Sequence, residues 1–245
     1  MRPVCLITGA SAGIGAATAE LAAQRGYDLV LTYNSDPAGA DEVAHTARAH
    51  GAKVETVQCD VADPEQIDRL FATLDKDFGR LDALVNNAGV VDETAKVTDF
   101  THDRLRRMFD INVIGAMLVA KEAVLRMKEH GGSIVNISSA AARLGSANQY
   151  VDYAASKAAI DIFTKGLSEE VAGENIRVNA IRPGLIETEI HAKGGEPGRA
   201  ERLAHTVPMQ RTGSAREVAE AILYLMSDAH ASYVTGSILD VSGGR

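Results

Sequence analysis

Val4-Cys5-Leu6-Ile7-Thr8-Gly9-Ala10-Ser11-Ala12-Gly13-Ile14-Gly15 is the stretch on which the fold is decided. Its first residues are apolar without interruption, as in a buried strand, and three glycines then punctuate a turn. Ala16, Ala19, Leu21 and Ala22 follow at helical spacing, and Gly26 stands where a helix stop belongs. A strand that turns through glycines into a helix lets the backbone approach a diphosphate closely. The helix N-terminus then offers N–H groups and a positive dipole to the anion. A glycine-rich turn with no ligand is the plainer alternative, but the strand before and the helix after supply the context that a nucleotide site requires.

Outward from this stretch the same rhythm repeats. Apolar, β-branched runs occupy residues 4–8, 28–33, 53–58, 83–85, 133–137, 176–181 and 237–241, and helical patterns fill the intervals. Gly51 and Gly79 punctuate the second and third helices, and Asp63-Pro64 reads as a cap followed by a first helical position. Alternating strands and helices imply right-handed crossovers and a mostly parallel, seven-stranded sheet. Strands that are apolar on nearly every residue imply helices on both faces. Neither a linker nor an internal repeat divides the chain, so one doubly wound α/β domain over residues 1–245 is expected.

The 245 residues carry 33 acidic and 25 basic side chains, a formal charge of −8, and hydrophobic residues make up 46%. An acidic balance argues against nucleic acid and against an anionic membrane surface, both of which want clustered Lys and Arg. Apolar stretches fall far short of the ~20 residues of a spanning helix. A strand almost at the first residue leaves no room for a secretory signal, so a cytoplasmic location is expected. Cys5 and Cys59 lie in apolar runs and are expected as buried, reduced thiols.

The glycines are spaced Gly-x-x-x-Gly-x-Gly, and further motifs follow in order: Asp60-Val61, Asn86-Asn87-Ala88-Gly89, Asn112, Ser139, Tyr153-x-x-x-Lys157, and Pro183-Gly184 with Thr188. Together they resemble the short-chain dehydrogenase/reductase family in its single-domain Rossmann-fold form, along the whole chain. The resemblance implies a nicotinamide cofactor across the carboxyl ends of the strands. Gly9, Ser11, Ala12, Gly13, Ile14 and Gly15 would cradle its diphosphate, and Asp60 and Val61 would flank the adenine. Asn87, Ala88 and Gly89 would lie along the adenosine ribose, and Pro183, Gly184, Ile186 and Thr188 would hold the carboxamide end. For Asn86-Asn87 a turn that satisfies its own backbone is the plainer reading, and the two are compatible. No metal ligand set is assigned.

Strand two ends in Tyr33, Asn34 and Ser35. The carboxylate that accepts both ribose hydroxyls of NAD is missing there. The Arg or Lys that usually pairs with the extra phosphate of NADP is missing too, and Asp36 stands slightly late for a ribose partner. With Ser11, Asn34 and Ser35 able to donate to a phosphate, the balance favours NADP(H) over NAD(H).

Tyr153 and Lys157 are four residues apart in a helical stretch over residues 150–165, which puts them on one face. Such a pair alone is ordinary on a helix surface; beside the nucleotide motifs it has a chemical use. Reducing a carbonyl leaves an oxyanion that needs a proton, and a phenol can give one. An ammonium ~4 Å away at an effective dielectric of about 20 would favour the phenolate by ~4 kcal/mol, a drop of ~3 pKa units. That would bring the phenol near neutrality, where acid–base catalysts work best. The resemblance adds that Lys157 bonds the nicotinamide ribose, that Ser139 holds the substrate carbonyl, and that Asn112 breaks its helix and holds a water on a proton path. Ser138 stays an alternative to Ser139, because the interval to Tyr153 is one residue longer than usual. Both serines could merely end the strand, and Asn112 could be a tolerated polar residue.

Substrate walls are expected from residues 90–95, 140–150 and the stretch after Thr188, with residues 189–210 as a candidate lid or a plain surface insertion. The expected activity is interconversion of a ketone or aldehyde with an alcohol on a small molecule. Reduction of a 3-oxoacyl group on a carrier protein ranks below it, since Glu169, Glu170 and Glu174 give no basic rim; a sugar or polyol dehydrogenase stays open. A protein that senses NADP without turnover is the reading from another class. The small and apolar residues on the helices of Asn112 and Tyr153, and residues 234–245, resemble surfaces that pair family members into a homotetramer.

Overall fold

A computed structural model describes residues 2–188, 195 and 198–245. Seven strands form one sheet: β1 (Val4–Ile7), β2 (Asp28–Tyr33), β3 (Val54–Gln58), β4 (Ala83–Asn86), β5 (Gly132–Ile137), β6 (Ile176–Pro183) and, after the two-stranded β7 (Ile186–Glu187) and β8 (Gly213–Ser214), β9 (Ile238–Val241). Their order is β3-β2-β1-β4-β5-β6-β9, and every pairing is parallel.

The period of two explains why both faces are covered. On β1, Cys5 and Ile7 join one core while Val4 and Leu6 join the other; Leu29 and Leu31 oppose Val30 on β2, and Val85 opposes Leu84 on β4. The first core is closed by α1 (Gly13–Gln24), α2 (Pro37–Ala49) and, later in the chain, Ala215–Met226. The second is closed by α3 (Pro64–Asp77), by α5 (Ala116–Met127), which follows α4 (His102–Phe109), and by the end of α7 (Val151–Val171), which follows the short α6 (Ala141–Leu144). Leu6, Leu29, Leu31 and Leu84 are wholly buried, each contributing about 2 kcal/mol of apolar transfer.

Local signals in the sequence set the helix ends. Gly26, Gly51 and Gly79 follow α1, α2 and α3 in left-handed conformation, and Asp63 accepts from the Glu65 amide with Pro64 as the first residue of α3. Arg199–Leu203 forms α8, and Ala215–Met226, capped by Ser214 and Glu217 reciprocally, forms α9. Of the candidate lid, residues 189–194, 196 and 197 lie outside the described residues. Cys5 and Cys59 are free and buried, and burial pushes both thiols up, that of Cys59 to about 11. Among the described residues no helix is long and apolar enough to cross a membrane.

Strand order reverses between β1 and β4, so their carboxyl ends open a crevice at the topological switch point, where ligands of such sheets bind.

Candidate active site

Two turns meet in this crevice and are sewn together. The Thr8 hydroxyl accepts from the amides of Asn87 and Ala88, both at 2.9 Å, and Asn87 Nδ2 donates to the carbonyls of Thr8 and Gly9. Asn87 therefore builds the wall it belongs to, which joins the two readings of that turn. Asn86 does the same below: its Nδ2 donates to Asn136 Oδ1, and Asn136 Nδ2 to Thr164 on α7. A Cβ at Gly15 would stand 2.4 Å from the Gly9 carbonyl oxygen and 2.8 Å from Asn87 Nδ2, so only glycine lets the turns close this tightly.

A dinucleotide fits this cradle. No side chain caps α1, whose N-cap is Ala12, so the first-turn amides of Gly13, Ile14 and Gly15 are not taken up by a cap. Across from them a Cβ on Gly13 would touch Thr188, and Ile14 and Thr188 line one cleft with Pro183, Gly184 and Ile186. Ser11, Ala12 and Tyr33 are half-buried and Asn34 and Ser35 are exposed at the far end. Asp36 is spent on the Gly39 amide as the cap of α2. Asp60 accepts from the Ala62 amide, and the Val61 carbonyl packs on Gly115.

At the other end of the cleft stand Ser138, Ser139, Tyr153 and Lys157. The structure separates the two serines. Ser139 lies beside the Tyr153 hydroxyl and accepts from the Ala141 amide; Ser138 Oγ is buried and donates to the Lys157 carbonyl. Ser139 thus faces the phenol, and Ser138 braces the helix behind it.

Lys157 is buried, and its Nζ donates to the Ile137 carbonyl at 2.8 Å. Burial pushes its ammonium down to about 8, opposed by the nearby Asp161 carboxylate. The expected downward shift of Tyr153 is not found. Burial raises the phenol, with the Ser139 hydroxyl pulling the other way, and Lys157 Nζ stands 5.7 Å from the ring centre. The spacing argument omitted the cost of burying the phenolate.

Asn112 lies in a wide π-helical segment, Asp110–Gly115, between α4 and α5. Its Oδ1 accepts from the Val90 amide and its Nδ2 donates to the Val90 carbonyl and to Ser156. Gly89 brings it to the lysine: a Cβ there would be 3.1 Å from Asn112 Oδ1 and 3.3 Å from Lys157 Nζ.

The expected substrate walls supply Val91, Ala140, Ala141, Leu144, Ser146 and Tyr150 to the cleft. Sequence reasoning missed three further liners, Ile137, Leu185 and Arg245. It also missed a buried ion pair, Arg104 Nε to Asp152 Oδ2 at 2.6 Å. Asp152 accepts from the Tyr153 amide, and Arg104 also donates to the Glu93 carbonyl, so α4 ties the loop after β4 to the start of α7. No local signal pairs residues so far apart in sequence.

Comparison with known proteins finds relatives along nearly the whole chain. A family model described as enoyl-(acyl carrier protein) reductase matches residues 9–245. The chain is 49% identical over 246 residues to the uncharacterized oxidoreductase YgfF of Escherichia coli (strain K12), covering 99% of each. It superimposes at TM-score 0.92 and 32% identity on a short-chain type dehydrogenase/reductase from Mycobacterium marinum, covering 99% of this chain and 94% of that one. A 3-ketoacyl-(acyl-carrier-protein) reductase from Brucella melitensis, crystallised with NADH, matches at TM-score 0.91 and 32% identity, covering 99% and 98%.

Proposed function

The chain belongs to the short-chain dehydrogenase/reductase family of nicotinamide-dependent oxidoreductases, and from that premise we propose that it reduces a ketone or aldehyde with NADPH, Tyr153 acting as the acid. The observation that carries this reading is the single cleft that brings Ser139, Tyr153 and Lys157 together with the uncapped end of α1.

When bound, the cofactor supplies the hydride. Ser139 Oγ holds the substrate oxygen beside the phenol, and the Tyr153 hydroxyl gives its proton to that oxygen as charge develops there. A phenol kept protonated by burial suits the reducing direction, in which it must donate. Lys157 anchors the back of the site through the Ile137 carbonyl and would hold the ribose hydroxyls of the cofactor with its remaining donors. Asn112, held by Val90 and Ser156, fixes the helix break beside Lys157 and positions the outlet of the proton path.

Preference for NADPH is supported by the end of β2. Tyr33 replaces the carboxylate that would repel a phosphate, and Asp36 is turned onto Gly39. Steady-state oxidation of NADPH and NADH against a panel of ketones, aldehydes and quinones tests both claims. We expect turnover with NADPH at a kcat/KM at least about tenfold above that with NADH, as one charged hydrogen bond supplies. A preference for NADH overturns the cofactor reading, and cofactor binding without turnover of any carbonyl overturns the reaction.

A homotetramer is supported by apolar side chains left in water: Ile114 and Leu125 along α5 and the segment before it, Ile162 on α7, and Tyr233 and Leu239 near β9. Light scattering is expected to return four times the chain mass, and a monomer at micromolar concentration would refute the assembly.

A further inference from the structure

Arginines in this acidic chain are mostly matched to carboxylates. Arg80 pairs with Asp82, Arg104 with Asp152, Arg126 with Asp75, Arg177 with Asp228, Arg182 with Asp161 and Arg211 with Glu217. Arg245 breaks this pattern. Its guanidinium has no hydrogen bond or ion pair among the described residues, although the chain has 33 acids for 25 bases. Asp240, on the strand that leads to it, is flanked instead by Arg143 at 3.7 Å and Arg182 at 3.9 Å.

The residue is nevertheless held in place. Its main-chain oxygen accepts from Arg143 Nη2 and from Ser242 Oγ, and Ser242 packs so closely on Gly184 that a Cβ on Gly184 would stand 2.7 Å from its Cα. Arg245 is thereby fixed beside the Pro183–Gly184 wall and lines the same cleft as Tyr153 and Ser139. Besides Lys157, it is the only charged side chain among the described residues lining that cleft, and none of them is acidic. Lys157 is buried at the back and committed to Ile137. The apolar liners of the cleft include Val91, Ala141, Leu144 and Leu185.

We propose that Arg245 is a specificity-determining residue, and that the substrate is a keto acid: a carbonyl held by Ser139 and Tyr153, an apolar body along Leu144 and Leu185, and a carboxylate paired with the Arg245 guanidinium. This rests on the reaction proposed above and adds the substrate class. One guanidinium matches one carboxylate in charge and, through its planar fork, in shape. A dianionic phosphate would leave half its charge unmatched, since no second free cation lines the cleft among the described residues.

The test compares straight-chain keto acids of increasing length with their methyl esters, in the wild type and in Arg245→Gln and Arg245→Lys. In the wild type, kcat/KM for the best acid should exceed that for its ester by about tenfold to a hundredfold, the worth of a charge-assisted hydrogen bond. Arg245→Gln should bring this ratio to about one, mainly through KM, and Arg245→Lys should restore part of it. The dissociation constant of NADPH, followed by its fluorescence, should be the same in all three. Wild type that prefers the ester, or an acid preference that survives Arg245→Gln, overturns the inference and leaves the reaction standing. Loss of NADPH affinity in Arg245→Gln also overturns it, assigning the guanidinium to the cofactor. Absence of turnover with every acid and every ester overturns the reaction and the inference with it.

Discussion

Tyr153→Phe is expected to lower kcat for carbonyl reduction by about a thousandfold, the scale of a general acid removed from a site that otherwise still holds its reactants. The change deletes one oxygen. Ser139 keeps its bond from the Ala141 amide, and the aromatic ring keeps its place on α7, whose start is fixed by the Asp152–Arg104 ion pair. Melting temperature and NADPH affinity should therefore stay at wild-type values. A rate within threefold of the wild type would assign the proton to another group. The pH dependence sharpens the test: the phenol is raised by burial, so the reducing rate should hold across neutral pH and fall only on the alkaline side.

Lys157→Met is expected to have the second largest effect, lowering kcat/KM by about a hundredfold to a thousandfold, comparable to the loss of one preorganised charged donor. Its influence on stability runs the opposite way and depends on pH. In the folded chain the ammonium loses its proton at about 8, whereas the unfolded lysine keeps it to the ordinary lysine value of 10.5. Between these values the unfolded chain binds more protons, so the wild type gains stability as pH rises. Below pH 8 the cost of burying the charge is carried in full. The unfolding free energy of wild type minus that of Lys157→Met should thus increase by about 3 kcal/mol from pH 8 to pH 10.5. Urea unfolding of both proteins at the two pH values measures it. A difference that stays flat would mean that the ammonium is solvated, and the buried position of Lys157 would be wrong.

Much of this was legible in the sequence, for a physical reason. Strand β1, its glycine turn and α1 are specified by residues adjacent in the chain, as are the Asp63-Pro64 start of α3 and the glycines after α1, α2 and α3. Tyr153 and Lys157 are likewise separated by one helical turn. What stayed hidden depends on contacts between distant segments. Arg104 meets Asp152 across 48 positions, and Arg245 reaches the cleft only because Ser242 docks on Gly184. The choice between Ser138 and Ser139 turns on which hydroxyl faces the Tyr153 phenol, and an extra residue in the following loop blurred that in sequence. The direction of the Tyr153 shift is not legible in sequence because burial belongs to the packed molecule.

The stitching of the two turns by Thr8 and Asn87 has a kinetic consequence. Four hydrogen bonds within the chain close that seam, and Thr32 fastens the same turn to β2 through the Gly9 and Ala10 amides. The arriving dinucleotide therefore meets a rigid receptor and forfeits little of the protein's conformational entropy. Association should proceed in one step near the rate of encounter, with residence time set by how fast the contacts let go. The nucleotide would then dock first, and the smaller reactant would enter a cleft whose floor is already laid.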